Sequence, residues 1–512
     1  MLVKVFAAAL HGVNATIITI EVNCSKGVRF FLVGLPDISI RESHERITSA
    51  LSQTGYKFPR NQILVNMAPA DIRKEGSAYD LPLAIGILAG AGKIKADHIG
   101  DYMMMGELSL DGSLNPVRGV LPIAIKAQKE GFKGLILPKK NAAEAAIVHD
   151  LVVHGVEGIG EVIRFFNEEI ELERTVINCV EEFHANQHHF GLDFSEVKGQ
   201  ENVKRAMEVA SAGGHNLLFI GAPGAGKSML AKRLPSILPP MTLEESLETT
   251  KIHSVAGKLS SNTSLIAVRP FRSPHHSIST AAMVGGGSYP QPGEISLSHN
   301  GVLFLDELPE FPRVVLEVLR QPLEDRKITI SRAKYVVDYP ASFMMVSSMN
   351  PCPCGFYNHP EKACVCAPGQ VQKYLNRISG PLLDRIDIQI EIIPVPFDKI
   401  SDIRPAESSE DIRERVIYAR KIQEKRFAGE AGIYCNSQMN TRLLHQYAQP
   451  DKEGLALLKN AMQRLNLSAR AYDRILRVSR TIADLENLPA VLSHHLAEAI
   501  SYRNLDRANW AG

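Results

Sequence analysis

At 512 residues with 45% apolar side chains, the chain is too long for one hydrophobic core and carries enough apolar mass to fill several. A net charge of +1 removes bulk attraction to a polyanion, so any nucleic-acid contact must come from a local basic strip. Seven cysteines behind a start with no basic leader do not read as a disulfide framework, and no apolar run approaches the ~18 residues of a membrane span, so a cytoplasmic location is expected.

Residues 3–9 and 15–22 alternate as strands split at His11-Gly12, and residues 30–33 make a third strand before the turn Gly34-Leu35-Pro36. Helical spacing covers 43–55, 78–92 and 121–131, the last leading into a strand at 134–137. Residues 1–167 thus read as an α/β unit with no phosphate loop of its own. Between 168 and 192 the chain turns acidic and polar. His184, His188 and His189 look like a metal cluster, but no framework surrounds them and a solvated linker is the expectation. From 193 to 396 strands and helices alternate as a doubly wound parallel sheet requires. From 397 onward helices at 412–428, 440–448, 452–465, 468–485 and 490–502 form an all-α end.

The second segment carries the chemistry. An apolar strand at 217–220 runs into Gly221-Ala222-Pro223-Gly224-Ala225-Gly226-Lys227-Ser228 and then a helix. Glycines at this spacing let successive backbone N–H groups turn inward around phosphates, and the helix N-terminus adds positive potential. Lys227 is expected to reach the terminal phosphates of ATP and Ser228 to bind Mg2+. A second apolar strand, 301–305, ends in Asp306-Glu307, acids placed where open α/β sheets bind ligands. Asp306 would hold Mg2+ and Glu307 would polarise the attacking water. A third strand, 343–347, leads to Asn350, which can orient the same water or serve as a strand-end turn residue.

Arg269-Pro-Phe-Arg-Ser-Pro-His-His276, Pro292-Gly-Glu-Ile-Ser-Leu-Ser-His-Asn-Gly301 and Gly380-Pro-Leu-Leu-Asp-Arg-Ile-Asp387 resemble the magnesium-chelatase-like AAA+ ATPases of the YifB/ComM family, over essentially the whole chain. The resemblance implies an α/β AAA+ P-loop core with a parallel sheet, preceded by an α+β domain similar to the Lon protease domain (S5 domain 2-like) and followed by an all-α lid. It also implies a homo-hexameric ring. By motif, Arg385 looks like the arginine finger that enters a neighbour's ATP site, the alternative being a surface salt bridge with Asp384 or Asp387. Arg470 resembles the lid arginine called sensor 2, with Arg474 as its rival one turn later. Matching to the Lon pattern puts Ala78 at the serine position and Leu121 at the lysine position. Ser77 and Lys126 stand nearby, and a non-proteolytic scaffold is expected.

Cys352-Pro-Cys354 and Cys364-Val-Cys366 offer four thiolates for one structural Zn2+, with His359 as a substitute ligand. The one-residue spacing within each pair is tighter than usual, and free thiols in a flexible loop are the alternative. For the substrate, Arg326-Lys327 and Arg332-Ala333-Lys334 bracket an alternating β-hairpin whose basic side chains could track a phosphate backbone, and Arg269, Arg272, His275 and His276 form a second basic group. Both also read as solvated charge. The family resemblance points to a DNA translocase or helicase that promotes branch migration of incoming homologous DNA. The alternative is a chelatase-type or protein-remodelling ATPase driving a partner protein.

Overall fold

A computed structural model describes residues 1–187, 190–259, 264–287, 290–332, 335–395, 405–465 and 467–503, apart from the side chains of 332 and 335. Within it the chain forms two compact units, residues 1–185 with 243–266, and residues 186–242 with 267–512. This division differs from the four consecutive segments expected from sequence, because the segment 243–266 leaves the ATPase stretch to complete the first unit. No helix among the described residues is long and apolar enough to cross a membrane.

In the first unit, β1 (Leu2–His11) pairs antiparallel along its whole length with β2 (Asn14–Ser25). Around them, β3 (Phe30–Val33), β4 (Gln62–Ala68), β5 (Tyr102–Met104), β6 (Gly134–Pro138) and β7 (Val152–Val156) complete a seven-stranded sheet in the order β3-β4-β2-β1-β5-β6-β7. Every residue of the helix Asp80–Gly90 is buried. Its Gly86 and Gly90 allow the close approach, since a Cβ on Gly86 would meet Val22 at 2.9 Å. The buried Asp80 carboxylate is answered by the Arg46 guanidinium at 2.7 and 2.8 Å. The helix Leu243–Val255 joins this unit, where the Gly119 N–H donates to the Ser254 carbonyl at 3.1 Å and Glu144 accepts both the Ser254 hydroxyl and the Leu121 N–H.

The expected linker is partly structured. Residues Cys179–Asn186 form a helix whose Cys179 and Phe183, four apart on one face, are buried. His184 is exposed on that helix, whereas His188 and His189 lie outside the described residues.

The second unit centres on five parallel strands: β8 (Leu217–Gly221), β9 (Phe271–Arg272), β10 (Val302–Leu305), β13 (Met344–Met349) and β14 (Ile388–Ile392). Between β10 and β13 the chain makes a separate antiparallel hairpin, β11 (Lys327–Arg332) with β12 (Tyr335–Pro340). The sheet order is β9-β10-β13-β8-β14, so the phosphate-loop strand lies inside the sheet, between β13 and β14. All of β8, β10 and β13 is buried, the pattern of strands covered on both faces. Register places Ile220 beside Met349 and Leu305 beside Ser347, so the three strands end on the same side of the sheet within two residues of one another. Helices Ser409–Arg426, Thr441–Tyr447, Lys452–Arg464, Ala469–Leu485 and Ser493–Ser501 follow the expected all-α pattern within a few residues. Asp484 is fully buried among them, bonded by Arg426, Arg480 and Asn436.

Candidate functional site

These neighbouring strand ends bring three loops to one edge of the parallel sheet. After β8, Gly224 and Gly226 adopt φ of 79° and 89°, which the loop needs to curl and which other residues resist. The helix Lys227–Ile237 starts directly behind, aiming its free N–H groups at the loop. Lys227 Nζ donates to the carbonyls of Gly221 (2.6 Å) and Ala222 (3.0 Å) and to Asn350 Oδ1 (3.0 Å). Burial lowers the pKa of this ammonium, while the charges of Asp306 and Glu307 act the other way.

Ser228 Oγ donates to Asp306 Oδ2 at 2.6 Å, and the Ser348 hydroxyl donates to Oδ1 of the same carboxylate. A hydroxyl and a carboxylate held this way are the donor set that suits Mg2+ beside a triphosphate. Glu307 follows at φ 55°, a left-handed conformation that costs ~1 kcal/mol or more in a non-glycine residue and concentrates at working sites. Its carboxylate faces His276 Nδ1 at 3.3 Å. The expected phosphate loop, Asp306, Glu307 and Asn350 thus converge. Ser348 and His276 are additions from outside the expected set. The paired histidines after β9 are the only sequence signal for the second, and Ser348 had none beyond its place two residues before Asn350.

Arg385 and Arg470 lie elsewhere, at the edge where the strands begin. Asn216, at the head of β8, bonds the Arg385 carbonyl (2.8 Å), the Asp387 carboxylate (3.0 Å) and the Met345 N–H (2.8 Å), tying three strand starts together. Beside it opens a cavity of about 360 Å³ lined by Arg326, Arg385, Arg470, Arg474 and Arg477. Arg385 is only 8% exposed and pairs with Glu324, rather than with either flanking aspartate. Arg474 is committed to the buried Asp387 at 2.5 Å, whereas the Arg470 side chain, 65% exposed, meets Asp384 at 3.3 Å. Of the two lid arginines, Arg470 is the one left accessible.

The four cysteine sulfurs converge within 4.8 Å of one another. Separations of 3.3, 3.5 and 3.7 Å approach the ~3.8 Å edge of a ZnS₄ tetrahedron with Zn–S bonds of ~2.3 Å. They far exceed the ~2.05 Å of a disulfide. His359 is not part of the cluster: its Nδ1 accepts the N–H groups of Glu361 and Lys362 at 3.1 Å.

The basic groups expected to meet nucleic acid are largely occupied. Arg269 bonds the carbonyls of Pro239 and Asn300, and Arg272 forks onto Glu294 at 2.6 and 2.7 Å. In the hairpin, Arg326 donates to the Gly432 carbonyl at 2.6 Å and Lys327 pairs with Asp338 at 3.2 Å. Arg332 stands opposite Tyr335 at the hairpin tip, and Lys334 lies outside the described residues. In the first unit, Ser77 bonds Glu107 and Lys126 bonds Glu130.

Three family patterns match the chain in order. They are subunit ChlI of Mg-chelatase over residues 20–141, magnesium chelatase subunit ChlI over 193–400, and its C-terminal part over 406–503. Competence protein ComM of Haemophilus influenzae is 45% identical over 507 residues, covering 98% of this chain and 97% of its own. The YifB protein of Escherichia coli K12 is 43% identical over 508 residues, with 98% and 97% covered. Lon protease 2 of Bacillus subtilis is 29% identical over 156 residues, 28% of this chain and 27% of its own, in keeping with a Lon-like part beside the ATPase. Phosphate loop, converging strand ends and likeness along nearly the whole length make this chain a member of the YifB/ComM family of magnesium-chelatase-like AAA+ ATPases.

Proposed function

We propose that the protein hydrolyses ATP with Mg2+ as a cytoplasmic homo-hexameric ring and couples the reaction to movement along DNA, including branch migration. The observation that carries the reading is the convergence of Lys227, Ser228, Asp306 and Asn350 at one sheet edge, linked by hydrogen bonds of 2.6 and 3.0 Å. Lys227 holds the terminal phosphates, Ser228 and Asp306 hold the metal ion, and Glu307 polarises the attacking water. Mg2+, when bound, draws charge off the transferred phosphoryl group. Arg385 and Arg470 stand at the opposite strand ends, which supports their service to a neighbouring subunit's nucleotide. The likeness to a competence protein supports DNA as the track, and Arg332 and Lys334 supply its grip, since Arg326 and Lys327 are engaged with Gly432 and Asp338. The cysteine cluster holds one structural Zn2+. The first unit acts as a non-proteolytic scaffold.

The deciding experiment follows ATP hydrolysis with and without single-stranded and branched DNA across a salt series, with Glu307→Gln as the blank. Stimulation that falls steeply with salt and vanishes in the variant supports a DNA motor. Hydrolysis indifferent to every DNA would sink the DNA reading and leave a chelatase-type or protein-remodelling ATPase acting on a partner protein.

A further inference from the structure

The cysteine loop starts two residues beyond Asn350, which accepts the bond from Lys227, and it also touches the phosphate loop directly. Gly355 adopts φ 84° and sits so close to Pro223 that a Cβ there would fall 2.4 Å from Pro223 Cδ. Pro223 lies within the loop that cradles phosphate, so the loop has a wall on this side made of cysteine-loop backbone. That wall has little to hold it in place. Of residues 352–366 only Cys352 and Gly355 are buried, and none lies in a helix or strand. Beyond the sulfurs there is no apolar core to fix it.

The sulfurs supply the missing anchor. Three of the four already sit at near-tetrahedral edge distances, and the Tyr357 N–H points at Cys352 Sγ at 3.3 Å, which fixes the orientation of that sulfur. Four sulfurs this close are a ready-made ligand set, and one Zn2+ would offset part of the thiolate charge and close the loop.

Resting on the reading that this cluster binds zinc, we propose that the metal clamps residues 352–366 against Pro223 and so presets the phosphate loop, making nucleotide affinity depend on zinc occupancy. The clamp acts on binding. None of the four cysteines belongs to the set that holds the phosphates or Mg2+, so these are positioning residues.

The test uses the full chain. Zinc content is measured by plasma mass spectrometry, and the affinity for a fluorescent ATP analogue is titrated with Mg2+ present. Both are repeated after zinc is stripped and the chelator removed, and again after Zn2+ is returned, with circular dichroism following the bulk fold. One zinc per chain, a loss of affinity of about tenfold on stripping and recovery on return are expected. Gly355→Val separates clamp from metal: it should keep its zinc and still bind nucleotide more weakly. A chain that neither contains nor takes up zinc would overturn the metal reading itself. Zinc that comes and goes with no change in affinity, together with normal binding by Gly355→Val, would leave the metal standing and overturn the clamp.

Discussion

Lys227 donates to two carbonyls of its own loop and to Asn350, so it is positioned before any phosphate arrives, and phosphate oxygens replace those neutral acceptors with charged ones. Lys227→Ala should therefore remove nucleotide binding itself, seen as loss of signal in an ATP-analogue titration. Glu307→Gln should bind normally and lower turnover by at least ~100-fold, measured as phosphate release. His276 holds the Glu307 carboxylate 3.3 Å away, and its removal should change the hydrolysis rate without changing nucleotide affinity. An effect on affinity alone would show that the contact is merely structural. At this scale, contiguous motifs were legible because a run such as Gly221 to Ser228 carries its own geometry. His276 and Ser348 were not, because only the fold brings them to Glu307 and Asp306. The same blindness made Arg269 and Arg272 look available, when one is spent on carbonyls and the other on Glu294.

Among the elements, strands with unbroken apolar runs and lid helices with regular spacing could be read directly. The helix Leu243–Val255 could not, since its buried side chains include Ser246, Thr249, Thr250 and His253, and no apolar stripe announces which face is covered. Within the lid, Asp484 accepts bonds from the buried Arg480, the partly buried Arg426 and Asn436. Asp484→Ala strands both cations and should cost about 3–5 kcal/mol, read by chemical denaturation. Asp387 ties the lid helix Ala469–Leu485 to the head of β14 through Arg474. Burial alone would raise its pKa, but Arg474 and His215 more than offset this and hold it well below the usual carboxylate range. A depressed folded-state pKa gives stability that is fully present above the unfolded value of ~3.9 and is lost as pH falls toward the folded one. Acid titration of unfolding should therefore show a loss below about pH 4 that is absent in Asp387→Asn.

Across the molecule, the nucleotide loops and the arginine cavity occupy opposite ends of the same strands. If the arginines act on a neighbour, Arg385→Ala and Lys227→Ala proteins should each be inactive alone yet recover activity when mixed. Random rings of equal parts restore about a quarter of the sites. Recovery absent at every ratio would place Arg385 outside the reaction. The order of segments was legible from the motifs, but the number of times the chain passes between its two units was not. It crosses three times, at 185, 242 and 266. A protease cutting once near residue 185 therefore cannot free the first unit, because the larger fragment keeps 243–266 folded inside it, and the two pieces should elute together under native conditions. By the same reasoning, a truncation that starts at residue 186 leaves the helix Leu243–Val255 without the strands and helices that bury it. An ATPase fragment made for separate study needs that excursion replaced by a short bridge.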